Sequence, residues 1–155
     1  MIDMREAFHV GVRVADLDAA MEQLGGALGV RWASPMVRDA QPVWTPERGL
    51  ERVPLRFCYS VDPPMHIELV EGSGGSVWDP GDAPGTHHIG VWVDDVDAEA
   101  ERLVSVGWTV AACRADPDAD GTHGIFAYLQ PPSGLLVELV SREIQPFFEA
   151  WWAEA

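Results

Sequence analysis

Two histidines and two glutamates stand at matching places in the two halves of the chain. His9 and His88 each begin an alternating stretch, HVGVRV and HIGVWV, of the kind that forms β-strands. Glu68 and Glu138 each lie inside a later apolar stretch, HIELVE and LLVELV. A glutamate among aliphatic residues is costly to bury unless it is paired, hydrogen-bonded or bound to a metal ion. These four residues are therefore the first candidates for chemistry.

The alternation of side chains along a strand indicates which of these residues can meet. Neighbouring residues in a strand point to opposite faces. His9 therefore shares a face with Arg13, and His88 shares one with Trp92, whereas the adjacent His87 lies on the core side or caps the strand. Each half supplies one imidazole and one carboxylate to a common face. Together they form a site typical of a divalent metal ion with mixed nitrogen and oxygen ligands.

An internal repeat accounts for this pairing. HVGVRVADLDAAMEQL (9–24) aligns with HIGVWVDDVDAEAERL (88–103) without a gap. In each copy the strand ends at an aspartate, Asp16 or Asp95, which is placed as the N-cap of an amphipathic helix. Three more strand-like segments follow each helix, at 30–37, 52–60 and 65–71 and then at 108–114, 124–130 and 135–141.

We therefore predict a single α+β domain over residues 1–155. Two tandem βαβββ modules, at about 7–72 and 86–141, form a cupped mixed sheet around a metal-containing cavity. A linker rich in Gly, Pro and Asp joins them at about 73–85. An aromatic, amphipathic helix at about 144–153 is expected to pack on the sheet or on a second subunit, so a homodimer is one expected assembly.

Composition limits the partners and the location. The chain has 25 acidic and 10 basic residues, a net charge of -15, which argues against nucleic acid and anionic membrane surfaces as partners. No apolar run is long enough to span a bilayer, and the first residues show no signal-peptide pattern. We expect a cytoplasmic protein with a small-molecule substrate. Cys58 and Cys113 lack metal-type spacing and are expected to be buried thiols.

With these motifs the chain resembles the vicinal oxygen chelate superfamily, which includes glyoxalase I, methylmalonyl-CoA epimerase, extradiol dioxygenases and bleomycin resistance proteins. The resemblance covers about residues 7–141, and HVGVRVADLDAA, HIELVEG, THHIGVWVDDVDA and GLLVELV carry it. It implies paired βαβββ modules around one divalent metal ion (Zn, Ni, Co, Mn or Fe). The ligands that it implies are the four residues that share a face: His9, Glu68, His88 and Glu138.

The resemblance implies three functions. The first is a metal-dependent isomerase, epimerase or lyase of glyoxalase type, acting through a metal-chelated enolate with Glu138 or Glu68 as the base. The second is an Fe(II) extradiol-type dioxygenase, whose facial triad needs two histidines and only one carboxylate. The third is a metal-free drug-binding resistance protein. Because the triad leaves one carboxylate surplus, we place the isomerase or lyase first.

One stretch bears on the epimerase reaction. TPERGL (45–50) is similar to a segment of the epimerases. Their catalytic carboxylate, however, falls on Arg52 of this chain, and Glu51 lies one position earlier. We keep Glu51 as a further catalytic candidate for an epimerase-like variant of the reaction.

Four residues are candidates for binding the substrate: Arg13, His66, Trp92 and Tyr128. Arg13 lies on the face of the first histidine and would hold a carboxylate or enolate, or else form a salt bridge at the rim. His66 shares the face of the following glutamate. Trp92 and Tyr128 are strand aromatics that line the cavity or belong to the core. The segment 38–52 is expected to be a loop beside the cavity.

Overall fold

A computed structural model describes residues 1–155 and contains the two expected βαβββ successions. The elements of the first are β1 (Ala7–Arg13), α1 (Leu17–Leu28), β2 (Met36–Thr45), β3 (Gly49–Tyr59) and β4 (His66–Gly72). Those of the second are β5 (Gly85–Val93), α2 (Val96–Ser105), β6 (Thr109–Cys113), the short α3 (Pro117–Asp120), β7 (Phe126–Gln130) and β8 (Val137–Ser141), and α4 (Gln145–Ala153) follows. None of the helices has the length and apolar character needed to cross a membrane.

The eight strands form a mixed sheet. Their order is β1-β4-β3-β2-β6-β7-β8-β5. In each half the first strand pairs in parallel with the last, β1 with β4 and β5 with β8. The last strand also pairs antiparallel with the strand before it, β4 with β3 and β8 with β7. The predicted α+β class with a mixed sheet is confirmed.

The predicted helix starts are confirmed. The Asp16 carboxylate accepts a hydrogen bond from the backbone N–H of Ala19, and Asp95 does the same for Ala98, both at 2.9 Å. Each aspartate thus satisfies an amide of the first turn that has no partner inside the helix. Gly29 ends α1 with φ of 69°, a left-handed conformation that glycine adopts without steric cost.

The strand predicted at 30–37 is wrong. The corresponding strand, β2, begins only at Met36. Residues 38–52, expected to be a loop, instead contain most of β2, the turn after it and the first residues of β3. The reason is that residues 37–40 are exposed, so this part of β2 lacks the alternation of apolar residues that marks a half-buried strand. Gly49, with φ of 68°, starts β3 directly after the turn.

The chain forms two compact units. One, called here the β1–β4 unit, consists of residues 9–41, 53–87 and 146–155. The other, called the β5–β8 unit, consists of residues 1–8, 42–52 and 88–145. The core of the first includes Leu17 of α1 and Leu69 of β4. In the second, α2 packs its apolar side, Val96, Ala100 and Leu103, on strand residues that include Val91, Leu129 and Leu139.

Both cysteines are buried free thiols, as predicted. Cys58 belongs to the core of the β1–β4 unit and Cys113 to that of the β5–β8 unit. Burial raises the pKa of each thiol to about 12. Both therefore stay protonated near neutral pH, which makes them poor nucleophiles and poor metal ligands.

The close packing of the segment after β4 gives a stability prediction. A Cβ atom on Gly72 would lie 2.6 Å from the Cβ of the buried Trp78, so Gly72→Ala should lower the free energy of unfolding by about 1–3 kcal/mol. Gly26, inside α1, has no atom within 4 Å of such a Cβ. Gly26→Ala is the matched control and should raise stability by up to about 1 kcal/mol. Urea unfolding followed by tryptophan fluorescence measures both, and an unchanged Gly72→Ala midpoint would contradict the packing described.

Candidate metal centre

The β1–β4 unit supplies one histidine and one glutamate. His9 Nε2 lies 3.5 Å from Glu68 Oε2, and the two residues are 0% and 7% exposed. The parallel pairing of β1 and β4 sets Gly11 opposite Glu68, which keeps His9 and Glu68 close in register. Tyr59, opposite Glu68 on β3, donates its hydroxyl to Glu68 Oε1 at 2.7 Å. The ring of Tyr59 stands edge-on to the imidazole of His9 at 5.3 Å.

The β5–β8 unit repeats this arrangement. His88 Nε2 lies 3.3 Å from Glu138 Oε2, and both residues are buried. Tyr128 lies opposite Glu138 on β7 and stands edge-on to the ring of His88 at 5.0 Å. Each unit therefore contains the same three residue types, histidine, glutamate and tyrosine, in the same strand relationship.

The four predicted ligand residues are all buried, and each unit holds one histidine against one glutamate. Two imidazole nitrogens and two carboxylate oxygens are a donor set that zinc and other first-row divalent ions accept. A divalent cation would also offset the cost of burying two carboxylates. The residues present therefore fit a divalent metal ion.

His66 is buried beside this group in the β1–β4 unit. It pairs in register with His9, and its Nδ1 lies 2.5 Å from the carbonyl oxygen of Ser60. A carbonyl oxygen only accepts, so His66 Nδ1–H is the donor. Burial lowers the pKa of His66, which favours the neutral imidazole with its lone pair on Nε2. The indole of Trp152 stacks on the His66 ring at 3.8 Å.

Two further substrate-binding candidates, Arg13 and Trp92, contact other residues of the protein. Arg13 donates from Nη1 to the backbone carbonyl of Asp79 at 3.2 Å, while its buried Nε has no hydrogen-bond partner. Trp92 is 5% exposed and stacks on Phe8, with ring centroids 3.8 Å apart.

Glu51 forms an ion pair of its own and is not one of the four candidate metal ligands. Its carboxylate forms an ion pair with Arg48 at 2.8 Å, close to the turn between β2 and β3. The group of buried candidate ligands does not include it.

Tyr59 is a residue of this site that the sequence interpretation missed. The sequence pattern indicates Tyr128 but not Tyr59, although the two occupy equivalent positions opposite the glutamates. Tyr59 precedes Glu68 by nine residues and Tyr128 precedes Glu138 by ten, so a gapless alignment of the repeats does not superimpose them. Aligning the two hairpins with a gap of one residue in the turn superimposes the two tyrosines as well as the two glutamates.

The sequence matches a known family over most of its length. Residues 8–128 match the model of the Glyoxalase/Bleomycin resistance protein/Dioxygenase superfamily. The chain therefore belongs to this superfamily, the vicinal oxygen chelate proteins, and the resemblance seen in the motifs is confirmed. No curated protein matches the chain significantly.

Solved structures of low sequence identity share the fold. A methylmalonyl-CoA epimerase in complex with methylmalonyl-CoA is 22% identical, with a TM-score of 0.60 over 88% of this chain and 94% of its own. The methylmalonyl-CoA epimerase from Mycobacterium tuberculosis is 22% identical, with a TM-score of 0.59 over 91% and 92%. A hypothetical protein from Bacillus halodurans is 19% identical, with a TM-score of 0.60 over 88% and 93%. At these identities the likeness establishes the fold alone.

The two adjacent histidines of β5 give a direct test of the site. His88 is 1% exposed and close to Glu138, so His88→Ala should reduce bound metal to a small fraction of an equivalent. His87 lies on the opposite face of the strand, and His87→Ala should keep the metal content of the unmodified protein. Elemental analysis after loading with Co²⁺ and gel filtration measures both. Equal losses in the two variants would show that the assignment of strand faces is wrong.

Proposed function

We propose that the protein is a metal-dependent isomerase, epimerase or lyase acting on a small molecule with oxygens on two neighbouring atoms. The observation that carries the proposal is that each unit buries a histidine nitrogen within 3.5 Å of a glutamate oxygen, so the same pair of ligand types occurs twice. Membership of the glyoxalase superfamily supports it. A cytoplasmic location and a homodimer remain predictions from the sequence.

The metal would be held by four side chains: His9, Glu68, His88 and Glu138. When bound, a divalent ion such as Zn, Ni, Co, Mn or Fe supplies Lewis acidity to two substrate oxygens and stabilises negative charge that develops on them. An extradiol-type dioxygenase needs two histidines and one carboxylate. The presence of a second buried glutamate therefore favours the isomerase or lyase class.

The two glutamates are suited to different tasks. Glu68 accepts a hydrogen bond from Tyr59, and aromatic side chains of α4 pack around the Tyr59 ring, so the Glu68 carboxylate is held in one orientation. We therefore assign Glu68 to metal binding alone. Glu138 takes the proton from the carbon next to the substrate carbonyl and returns it to the product.

Arg13 is the proposed contact for an anionic group of the substrate. Its guanidinium lies on the strand face of His9, and its buried Nε has no hydrogen-bond partner within the protein. A guanidinium can donate two parallel hydrogen bonds to one carboxylate. His66, Trp92 and Tyr128 remain the predicted substrate contacts on the strands.

Hydrogen exchange tests the proposed reaction. In D₂O without oxygen, the metal-loaded protein should exchange the C–H next to the carbonyl of small 2-hydroxyketones or 2-oxoacids, observed by proton NMR. Glu138→Gln should slow the exchange by roughly 10²–10⁴-fold, because it removes a general base. Glu101→Gln, on the exposed side of α2, is the matched control and should exchange normally. Oxygen-dependent cleavage of a catechol with no exchange in any compound would contradict the proposal.

The epimerase-like variant has its own test. If Glu51 does no more than pair with Arg48, Glu51→Gln should leave the exchange rate unchanged. A loss as large as that expected for Glu138→Gln would instead assign proton transfer to Glu51. The same exchange measurement with both variants decides between these residues.

A further inference from the structure

We infer that Tyr59 is a positioning residue that orients Glu68 towards the metal, and that the C-terminal helix α4 holds Tyr59 in place. The inference rests on the proposed function, because it concerns a ligand of the proposed metal ion. It adds a residue and a helix that the sequence motifs do not assign to the site.

The hydroxyl of Tyr59 determines how the Glu68 carboxylate is presented. It donates to Oε1 at 2.7 Å, while the other oxygen, Oε2, lies 3.5 Å from His9 Nε2. With one oxygen held by Tyr59, the carboxylate offers the other oxygen beside the imidazole. Groups that hydrogen-bond to metal ligands in this way fix the orientation of the ligand and commonly contribute 10–100-fold to metal affinity or activity.

Three aromatic side chains of α4 surround the ring of Tyr59. The ring centroids of Phe148, Trp151 and Trp152 lie 5.4, 5.7 and 5.8 Å from that of Tyr59. Trp151 also donates from Nε1 to the backbone carbonyl of Ser34 at 3.1 Å, which fastens the helix to the segment before β2. Tyr59 is 3% exposed, so its ring cannot turn away from Glu68 unless α4 moves.

The helix has a second contact with the same half of the site. Trp152 stacks on His66, which lies two residues before Glu68 on β4. The segment of α4, Gln145–Ala153, lies beyond residues 8–128 that match the family. The aromatic residues that pack around Tyr59 and His66 therefore follow the part of the chain that matches the family.

Removing the hydroxyl while keeping the ring tests the inference. Tyr59→Phe should weaken Co²⁺ binding by about 10–100-fold, measured by competition with a chelator, and should change the visible spectrum of the bound Co²⁺. A merely structural role for Tyr59 would lower the Tm of the metal-free protein and leave the affinity and the spectrum unchanged. That second result would overturn the inference.

A second pair of variants tests the role of α4. Trp152→Ala should weaken Co²⁺ binding in the same direction as Tyr59→Phe but by less, because it loosens the packing around Tyr59. Phe147→Ala is the matched control, since Phe147 lies on the same helix and is 53% exposed, and it should bind Co²⁺ normally. Normal binding by Trp152→Ala would overturn the role of the helix. If the unmodified protein binds no Co²⁺ at all, the proposed function itself is wrong.

Discussion

The burial of two carboxylates beside two imidazoles is the constraint on which the rest of the structure depends. Glu68 and Glu138 are each 7% exposed, and each lies within 3.5 Å of a histidine nitrogen on the neighbouring parallel strand. Such charges are stable in a protein interior only when cations or hydrogen-bond donors compensate for lost hydration. A bound divalent ion would supply that compensation and would also supply Lewis acidity, so the stability of the site and its proposed chemistry would have the same origin.

The internal repeat explains why both units contain the same candidate ligands. The packing of α4 on only one unit makes the surroundings of the two pairs of ligands different. Both units contain a histidine, a glutamate and a tyrosine in equivalent strand positions. Residues 146–155 belong to the β1–β4 unit, where α4 packs around Tyr59. The roles proposed for the two glutamates, Glu68 as a metal ligand and Glu138 in proton transfer, follow this asymmetry.

The sequence predicts the part of this site that follows from local periodicity. The period of two along each strand and the gapless repeat place His9 and His88 equivalently, because both signals are local. The exposed start of β2 has no apolar alternation, so its position could not be predicted. The contacts of α4 with Tyr59 depend on tertiary packing between residues about 90 positions apart in the sequence. An amphipathic pattern predicts that the helix has a buried face, but it does not identify the residues that this face packs against.

Anomalous X-ray scattering from crystals of protein purified without chelator tests the central claim most directly. Data collected at the absorption edge of the metal identified by elemental analysis should show one strong peak per chain. That peak should lie about 2.0–2.2 Å from a nitrogen of His9 and of His88 and from a carboxylate oxygen of Glu68 and of Glu138. A protein that takes up none of Zn, Ni, Co, Mn and Fe, or a peak held by other residues, would contradict the account.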